Sequence, residues 1–279
     1  MYKIIAKQTL APKIKRMVIQ ADLVAQKALP GQFAVLIVDQ KGERIPLTIV
    51  EADKIRKTIT VIFQEVGRTT EKLGSLKPDQ DIFSLLGPLG KAANTERFGN
   101  VVAVGGGVGI AEVYPVTRAF KQNGNQVTAI IGARSKELLI LRKELEKTSD
   151  RLLLATDDGS CGHKGLVSDL LQEVISSQKL DLVYAVGPVA MMQAVAELTR
   201  SKKIKTRVSL NPIMVDATGM CGACRVSLGG QIRFACVDGP EFDAHLVDFD
   251  QLNKRLRLFA REEQVALKAP QGKHCRDCD

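Results

Sequence analysis

One acidic residue and three cysteines near the C-terminal end of the chain follow a defined spacing. The pattern is Asp-x4-Cys-x2-Cys-x11-Cys, formed by Asp216, Cys221, Cys224 and Cys236. Three thiolates and a carboxylate supply four anionic ligands, a donor set suited to metal ions. Gly219 and Gly222 lie between these ligands, where they let the backbone wrap tightly and direct its N–H groups inward. The spacing predicts a loop built around a metal centre.

Three interpretations of this loop stay open on spacing alone. The first is a plant-type [2Fe–2S] centre, whose Cys-x4-Cys-x2-Cys…Cys spacing the pattern matches with aspartate at the first position. Cys-x2-Cys also occurs in zinc sites, where Asp216 would be the fourth ligand. The third interpretation is an ordinary loop aspartate beside three free thiols. The upstream sequence is needed to choose among them.

Composition and charge narrow the class of protein. The 279 residues are 45% hydrophobic and 25% charged, as in soluble globular proteins, and no apolar stretch approaches membrane-spanning length. Residues 1–7 alternate like a strand and lack signal-peptide features, so we expect a cytoplasmic protein with no membrane partner. In that compartment the six cysteines are expected to be ligands or free thiols. The net charge of +9 is interleaved with acidic residues and tryptophan is absent, which argues against nucleic-acid binding.

The chain divides into three predicted parts. Residues 1–97 contain short strands separated by turns, at about 14–19, 32–38, 44–50 and 57–63, which predict an antiparallel β-barrel. Residues 98–206 alternate strands and helices, including a helix at about 136–148, and predict a doubly wound parallel α/β domain. Residues 207–279 form a small cysteine-bearing segment with a helix at about 249–263 and a C-terminal tail.

A glycine-rich run lies between the first strand and the first helix of the α/β part. Its predicted nucleotide-binding residues are Gly105, Gly106, Gly107, Val108 and Gly109. Glycine there permits a tight turn and close approach of backbone N–H groups to a pyrophosphate, although strand-to-helix turns also use glycine for steric reasons alone. The next strand ends without an acidic residue and carries Arg134 instead. Arg134 can meet a 2′-phosphate, stack on adenine or be solvated, so the choice between NAD(H) and NADP(H) stays open.

Two further loops follow strands of the same part, at the edge where α/β sheets bind ligands. Asp157 and Asp158 can bond a ribose or a carboxamide, or cap the following helix. Gly187 and Met191 lie in the other loop, where a methionine is more often a packing residue than a cofactor contact.

The order of barrel, Gly-Gly-Gly-Val-Gly α/β domain and [2Fe–2S] ladder resembles the ferredoxin–NADP reductase superfamily over essentially the whole chain. The resemblance is strongest to the iron–sulfur flavoprotein branch. That branch holds dihydroorotate dehydrogenase electron-transfer subunits, sulfide dehydrogenase small subunits and the small subunit of NADH-dependent ferredoxin:NADP oxidoreductase. Aspartate at position 216 is similar to the last of these, whereas dihydroorotate subunits carry cysteine there.

The resemblance implies that the barrel holds FAD. The residues it assigns to FAD are Arg44, Ile45, Pro46, Leu47, Thr48, Ile62, Phe63, Gln64, Thr69 and Thr70. Thr48 would face the flavin N5. The family arginine stands three residues before this position and Arg44 stands four before it, so the group that neutralises the FAD pyrophosphate is left open. Gly105 to Gly109, Asp157, Gly187 and Met191 match the nicotinamide-nucleotide side.

The resemblance further implies an electron-transfer subunit that moves electrons between NAD(P)H, FAD and a [2Fe–2S] cluster. A larger flavin and iron–sulfur subunit would complete a heterodimer, carrying out flavin-based electron bifurcation between NADH, ferredoxin and NADP. The alternatives are an electron-transfer subunit of dihydroorotate dehydrogenase or of a hydrogenase diaphorase, and a zinc-stabilised nucleotide-binding module. Cys275 and Cys278 can form a second metal half-site, a redox-labile pair or a frayed terminus.

Overall fold

The computed structural model describes residues 1–268, so Cys275 and Cys278 lie outside the described residues. The first sheet is antiparallel and has the strand order β6-β1-β2-β5-β4-β3-β7. Its strands are β1 (Tyr2–Ala11), β2 (Ile14–Gln20), β3 (Phe33–Ile37), β4 (Arg44–Asp53), β5 (Thr58–Gln64), β6 (Asp81–Ile82) and β7 (Ser84–Leu89). The two edge strands, β6 and β7, are separated in the chain only by Phe83, so the sheet curls back on itself into a nearly closed barrel.

Alternation of side chains fills this barrel. Met17 and Ile19 of β2, with Ile59, Val61 and Phe63 of β5, all point into one core and are at most 2% exposed. Each such side chain contributes about 1.5–3 kcal/mol through burial. Two short helices, α1 (Asp22–Lys27) and α2 (Arg68–Ser75), connect the strands. The predicted antiparallel barrel is confirmed.

The second sheet is parallel except at one edge and has the order β11-β10-β9-β8-β12-β13-β16. Its strands are β8 (Asn100–Gly106), β9 (Gln126–Ala133), β10 (Arg151–Thr156), β11 (His163–Lys164), β12 (Leu182–Val186), β13 (Thr206–Ser209) and β16 (Glu241–Asp243). The helices are α3 (Gly109–Gln122), α4 (Arg142–Thr148), α5 (Val167–Ser177) and α6 (Val189–Ser201). Strand order reverses between β8 and β12, which makes the loops after these strands the topological switch point of a doubly wound sheet.

Two predicted helices are each divided in the structure. The helix expected at 136–148 is a 3₁₀ turn, Lys136–Leu138, followed by α4. Between them Leu141 adopts a left-handed conformation (φ 55°), which turns Ile140 and Leu141 into the core. The helix expected at 249–263 is α8 (Phe249–Leu256) and α9 (Ala260–Lys268).

The C-terminal segment also contains a hairpin, β14 (Arg225–Leu228) and β15 (Gln231–Phe234), and one helical turn, α7 (Ala235–Asp238). From the same segment, β16 pairs antiparallel with β13, which itself spans the predicted limit between residues 206 and 207. The segment is therefore joined to the second sheet by backbone hydrogen bonds. Across residues 1–268, no helix combines the length and the apolar character needed to cross a bilayer.

Candidate functional site

A cleft of about 440 Å³ opens at the carboxyl ends of the parallel strands, and we call it the strand-end cleft. Gly106, Gly107 and Val108 line it from the loop between β8 and α3, and Arg134 lines it from the end of β9. Because this cleft lies at the switch point of the sheet, its position is that of a nucleotide site in a doubly wound fold.

Some glycines of the loop between β8 and α3 line the strand-end cleft, and others allow close packing of α3 on the sheet. Gly105 and Gly109 do not line the cleft. A Cβ on Gly109 would lie 2.5 Å from the Val186 carbonyl oxygen, and one on Gly105 would lie 2.9 Å from Val113 Cγ1. These two glycines therefore let α3 approach β8 and β12 closely, while Gly107 supplies the positive φ (57°) of the turn.

The other predicted nucleotide residues are close to this loop. Asp157 and Met191 line the strand-end cleft. Gly187 lies beneath Gly106, since a Cβ on it would be 3.0 Å from the Gly106 carbonyl oxygen. The prediction omitted residues 165–168, the end of the loop after β11 and the start of α5, which also line the cleft. Such a short run between a two-residue strand and a helix gives little sequence signal for a binding role.

The barrel residues assigned to FAD divide between two faces of β4 and β5. Ile45 and Leu47 pack on the barrel core and Phe63 lies within it, so their side chains face away from the nucleotide side. Pro46 and Thr48 alternate with them and face outward. For Ile45, Leu47 and Phe63, only the backbone is available to a cofactor on the outer surface.

The outer face of these strands meets the second sheet. Ile62 belongs to the same buried cluster as Ile110 and Ala111 of α3, and Gln64 lines the strand-end cleft beside Ile14. The barrel therefore supplies one wall of the cleft. Arg44, at the start of β4, is exposed.

The two threonines assigned to FAD lie at the start of α2 and have partners of their own. The Thr70 hydroxyl accepts hydrogen bonds from the Val66 and Gly67 N–H groups, both at 3.0 Å, and caps the helix. The Thr69 hydroxyl donates to Glu43 Oε2 at 2.9 Å. Thr70 therefore has a structural function at the helix terminus.

Thr48 contacts an acidic residue that the sequence prediction did not include. Its hydroxyl lies near the carboxyl group of Glu112, in the first turn of α3. Burial raises the pKa of Glu112 to about 7, and the nearby polar Thr48 side chain lowers it in part. No local motif marks Glu112, since its partner belongs to the other sheet.

The four predicted metal ligands occur as two pairs in residues 216–236, which we call the cysteine loop. In the first pair, Asp216 Oδ2 accepts a hydrogen bond from the Cys221 N–H at 2.9 Å. The Thr218 N–H donates to Asp216 Oδ1 at 2.8 Å, and these bonds hold the pKa of Asp216 below its usual range, with the Thr218 backbone bond the largest cause. Asp216 is half-buried and Cys221 is exposed.

The second pair is buried. Cys224 Sγ and Cys236 Sγ are 3.2 Å apart, and each residue is 2% exposed. Burial, followed by the neighbouring Cys224, raises the pKa of the Cys236 thiol to about 12. The negative charge of Asp216 also contributes to this shift, so the two pairs lie within electrostatic range of each other. Metal binding here must displace protons.

Backbone N–H groups point at the sulfur atoms of the cysteine loop. The Ala223 N–H donates to Cys221 Sγ, and the Cys236 N–H donates to Cys224 Sγ, both at 3.4 Å. Gly219 and Gly222, with φ of 87° and 68°, permit these turns, as the sequence predicted. Among residues 1–268, no three His, Cys, Asp or Glu side chains converge on one point as a single-ion site requires. Two donor pairs with N–H···S bonds fit a centre of two metal ions.

Fold and site together define an oxidoreductase electron-transfer subunit, with an NAD-binding domain and an iron–sulfur segment attached to a barrel. Two family models match the chain. Residues 103–197 match the oxidoreductase NAD-binding domain, and residues 211–248 match the iron–sulfur cluster binding domain of dihydroorotate dehydrogenase B.

Whole-chain relatives agree with these matches. The chain is 44% identical, over 95% of its length and 93% of the relative's, to the dihydroorotate dehydrogenase B (NAD(+)) electron transfer subunit homolog of Thermotoga maritima. It is 31% identical to the corresponding electron transfer subunit of Desulforamulus reducens, over 86% of this chain and 94% of that one. The chain belongs to the family of dihydroorotate dehydrogenase B electron transfer subunits.

Solved structures extend the comparison. One chain from the structure of NADH-dependent reduced ferredoxin-NADP oxidoreductase superposes with a TM-score of 0.91 at 43% identity, covering 95% of this chain and 96% of that one. A cytochrome P450 reductase from Amycolatopsis shares the fold at 18% identity, with a TM-score of 0.63 over 73% of this chain and 66% of that one. Barrel and doubly wound sheet are thus the ferredoxin-reductase arrangement.

Proposed function

We propose that this chain passes electrons from NAD(P)H, bound in the strand-end cleft, through FAD on the outer face of β4 and β5 to a [2Fe–2S] cluster in the cysteine loop. When bound, FAD accepts a hydride as an electron pair and gives up single electrons, which links a two-electron donor to a one-electron centre. The protein's part is to bind these groups, orient them and exclude water.

One observation carries this proposal, namely the position of Thr48 between the two other sites. On one side Thr48 lies near Glu112 of α3, the helix that packs on β4 and begins at the strand-end cleft. On the other side it pairs across the sheet with Phe33 of β3. Phe33 belongs to the buried core that also contains Cys224 and Cys236. A group bound beside Thr48 therefore lies between the nucleotide residues and the cysteine pair.

The residues that would hold the cluster are Asp216, Cys221, Cys224 and Cys236. Their division into two pairs supports a two-metal cluster over a zinc ion, which takes four ligands around one centre. Gly106, Gly107, Val108, Asp157 and Met191 would bind the nicotinamide nucleotide. Pro46 and Thr48 would contact the flavin with their side chains, and Ile62, whose side chain is buried, with its backbone.

A partner subunit is part of the proposal. The relatives are named electron transfer subunits, and one structural neighbour is an NADH-dependent ferredoxin-NADP oxidoreductase. We propose a larger flavin and iron–sulfur subunit as the partner, with ferredoxin reached through the complex and electrons bifurcated between NADH, ferredoxin and NADP. A dihydroorotate-oxidising partner is the second candidate, favoured by the names of the relatives. The mass of the subunit that co-purifies with the native protein, and its activity with dihydroorotate, separate the two.

Anaerobic purification tests the cofactor assignment. We expect FAD, iron and acid-labile sulfide in the purified protein, with flavin and ferredoxin-type absorption that NAD(P)H bleaches. A colourless protein that contains zinc would contradict the proposal.

A further inference from the structure

Two arginine side chains bind the outer side of the cysteine loop. Arg225 donates a hydrogen bond from Nη1 to the Gly222 carbonyl oxygen at 3.1 Å. Arg255, in the last turn of α8, donates from Nη2 to the Ala223 carbonyl oxygen at 2.9 Å. The two acceptors are consecutive residues between the second and third ligand positions. Both guanidinium groups are therefore held against the same short stretch of the loop.

The bond from Arg225 also fixes the direction of a backbone N–H group. The Gly222–Ala223 peptide is trans, so its carbonyl oxygen and its N–H point in opposite directions. Arg225 holds the carbonyl oxygen on the outside, and the Ala223 N–H points to Cys221 Sγ at 3.4 Å. Hydrogen bonds to sulfur are among the factors that set the potential of an iron–sulfur centre.

Neither of these arginines has an acidic partner. In the described part of the chain, residues 1–268, neither forms an ion pair with a carboxylate, although four other arginines do. Arg255 is half-buried, and burial, followed by the neighbouring Arg225, lowers its pKa. A guanidinium stays ionised at neutral pH all the same. Because a partly buried charge needs an opposite charge nearby, the anionic donors of the cysteine loop are the natural counter-charge once their protons are lost.

We propose that Arg225 and Arg255 are positioning residues for the cluster, which direct a backbone N–H at its sulfur ligand and raise its midpoint potential with their charges. The inference rests on the proposed function, because it needs an iron–sulfur cluster in the cysteine loop. Reduction adds one electron to the cluster, and a nearby cation stabilises the reduced form more than the oxidised form. The two arginines thus make the cluster a better acceptor of electrons from the flavin.

The first test measures the midpoint potential of the cluster in anaerobically purified full-length protein, by redox titration followed with electron paramagnetic resonance. Arg255→Met keeps most of the side-chain volume and removes the charge and the donor. We expect the equilibrium constant for one-electron reduction to fall about tenfold, which lowers the midpoint by about 59 mV. Arg255→Lys keeps the charge and should recover most of this loss. Arg257→Met, at an exposed position just after α8, makes the same change of net charge and should leave the midpoint unchanged.

The second test uses reduced, metal-free protein, so it does not depend on the cluster. Hydrogen exchange of the Ala223 amide is followed by nuclear magnetic resonance. Arg225→Met removes the side-chain bond to the Gly222 carbonyl oxygen and frees the peptide to rotate. The amide should then exchange about fivefold faster, as expected for the loss of one hydrogen bond. Arg257→Met should leave its exchange rate unchanged.

A cluster midpoint in Arg255→Met equal to that of the wild type, or an Ala223 amide that exchanges no faster in Arg225→Met, would overturn the inference. If Arg255→Met loses its cluster, Arg225→Met is titrated in its place. Its midpoint should fall by a smaller amount, because Arg225 is exposed and its charge is screened, and an unchanged midpoint there overturns the inference equally. Wild-type protein without iron would instead contradict the proposed function, while the exchange measurement would still report on the arginine contact.

Discussion

The strand-end cleft and the cysteine loop differ in what builds them. Backbone geometry positions the cleft, because two parallel strands end side by side there, a helix begins there and glycines allow these elements to approach closely. Side-chain donors form the cysteine loop. One pair is buried with its sulfur atoms 3.2 Å apart, and in the other pair the half-buried Asp216 accepts hydrogen bonds from the backbone of its own loop.

This difference indicates that regular secondary structure forms the nucleotide site before any nucleotide binds. The cysteine loop, by contrast, reaches its final arrangement only when metal is bound. The cleft is held by sheet hydrogen bonds and core packing that exist with or without nucleotide. In the cysteine loop, thiol protons and the hydrogen bonds to Asp216 must be exchanged for metal–ligand bonds. Substitutions in the loop should therefore act on cofactor content, and substitutions in the cleft should act on folding.

The largest expected effect is on cofactor content. Cys224→Ser removes a donor of the buried pair, and we expect loss of nearly all cluster iron, measured by metal analysis and absorption of anaerobically purified protein. Cys161→Ser changes a cysteine outside the loop and should keep the iron of the wild type. Equal iron content in the two variants would show that the buried pair is not a ligand pair.

The next effect compares two glycines of the cleft. Gly109→Ala puts a Cβ 2.5 Å from the Val186 carbonyl oxygen, a clash with backbone that should cost about 3 kcal/mol of unfolding free energy. Gly107→Ala meets nothing within 4 Å and should cost about 1 kcal/mol, from the positive φ of 57° alone. Denaturant unfolding measures both. A smaller loss in Gly109→Ala than in Gly107→Ala would contradict the assignment of Gly109 to packing.

A pH-dependent effect on stability should follow from Glu112. Its folded pKa of about 7 lies above the ordinary value of 4.5, so the folded state binds the proton more tightly. Stability is then lost as pH rises from about 4.5 to about 7. Glu112→Gln should not show this loss. Between about pH 4.5 and about pH 7 the unfolding free energy of the variant should therefore rise relative to that of the wild type, by about 2 kcal/mol. This difference is smaller than the full pKa shift would give, because the half-buried carboxylate keeps part of its hydration. A difference that stays constant from pH 5 to pH 8 would contradict the raised pKa.

The smallest effect is expected at the first ligand position. Asp216→Cys replaces a carboxylate by a thiolate, a stronger electron donor, so we expect the cluster to assemble with a midpoint changed by on the order of 50 mV. A redox titration followed by electron paramagnetic resonance measures the midpoint. An unchanged midpoint with full iron content would mean that residue 216 does not bind the metal.

Local signals in the sequence predicted most of the fold. Short alternating strands, glycine after a buried strand and the Asp–Cys spacing are each contained in a few neighbouring residues. The division of the helix at 136–148 was missed because it depends on burial of Ile140 and Leu141 against the core, which their hydrophobicity alone does not reveal.

The parts of the site that could not be predicted from the sequence depend on contacts between the two sheets. Glu112 and Thr48 are far apart in the chain and meet only when α3 packs on β4. The inward orientation of Ile45, Leu47 and Phe63 depends in the same way on the register of the barrel strands, whereas the family resemblance marked the whole stretch as cofactor-binding.

The central claim is that the nucleotide and flavin sites form with the fold, whereas the cysteine loop reaches its final arrangement only when metal is bound. Adding NAD(P)H anaerobically to Cys224→Ser and to the wild type tests it most directly, with absorption reporting the flavin and electron paramagnetic resonance the cluster. We expect the flavin of both proteins to be bleached, and a reduced-cluster signal, after dithionite, in the wild type alone. A Cys224→Ser protein that folds but has lost flavin bleaching would contradict the account.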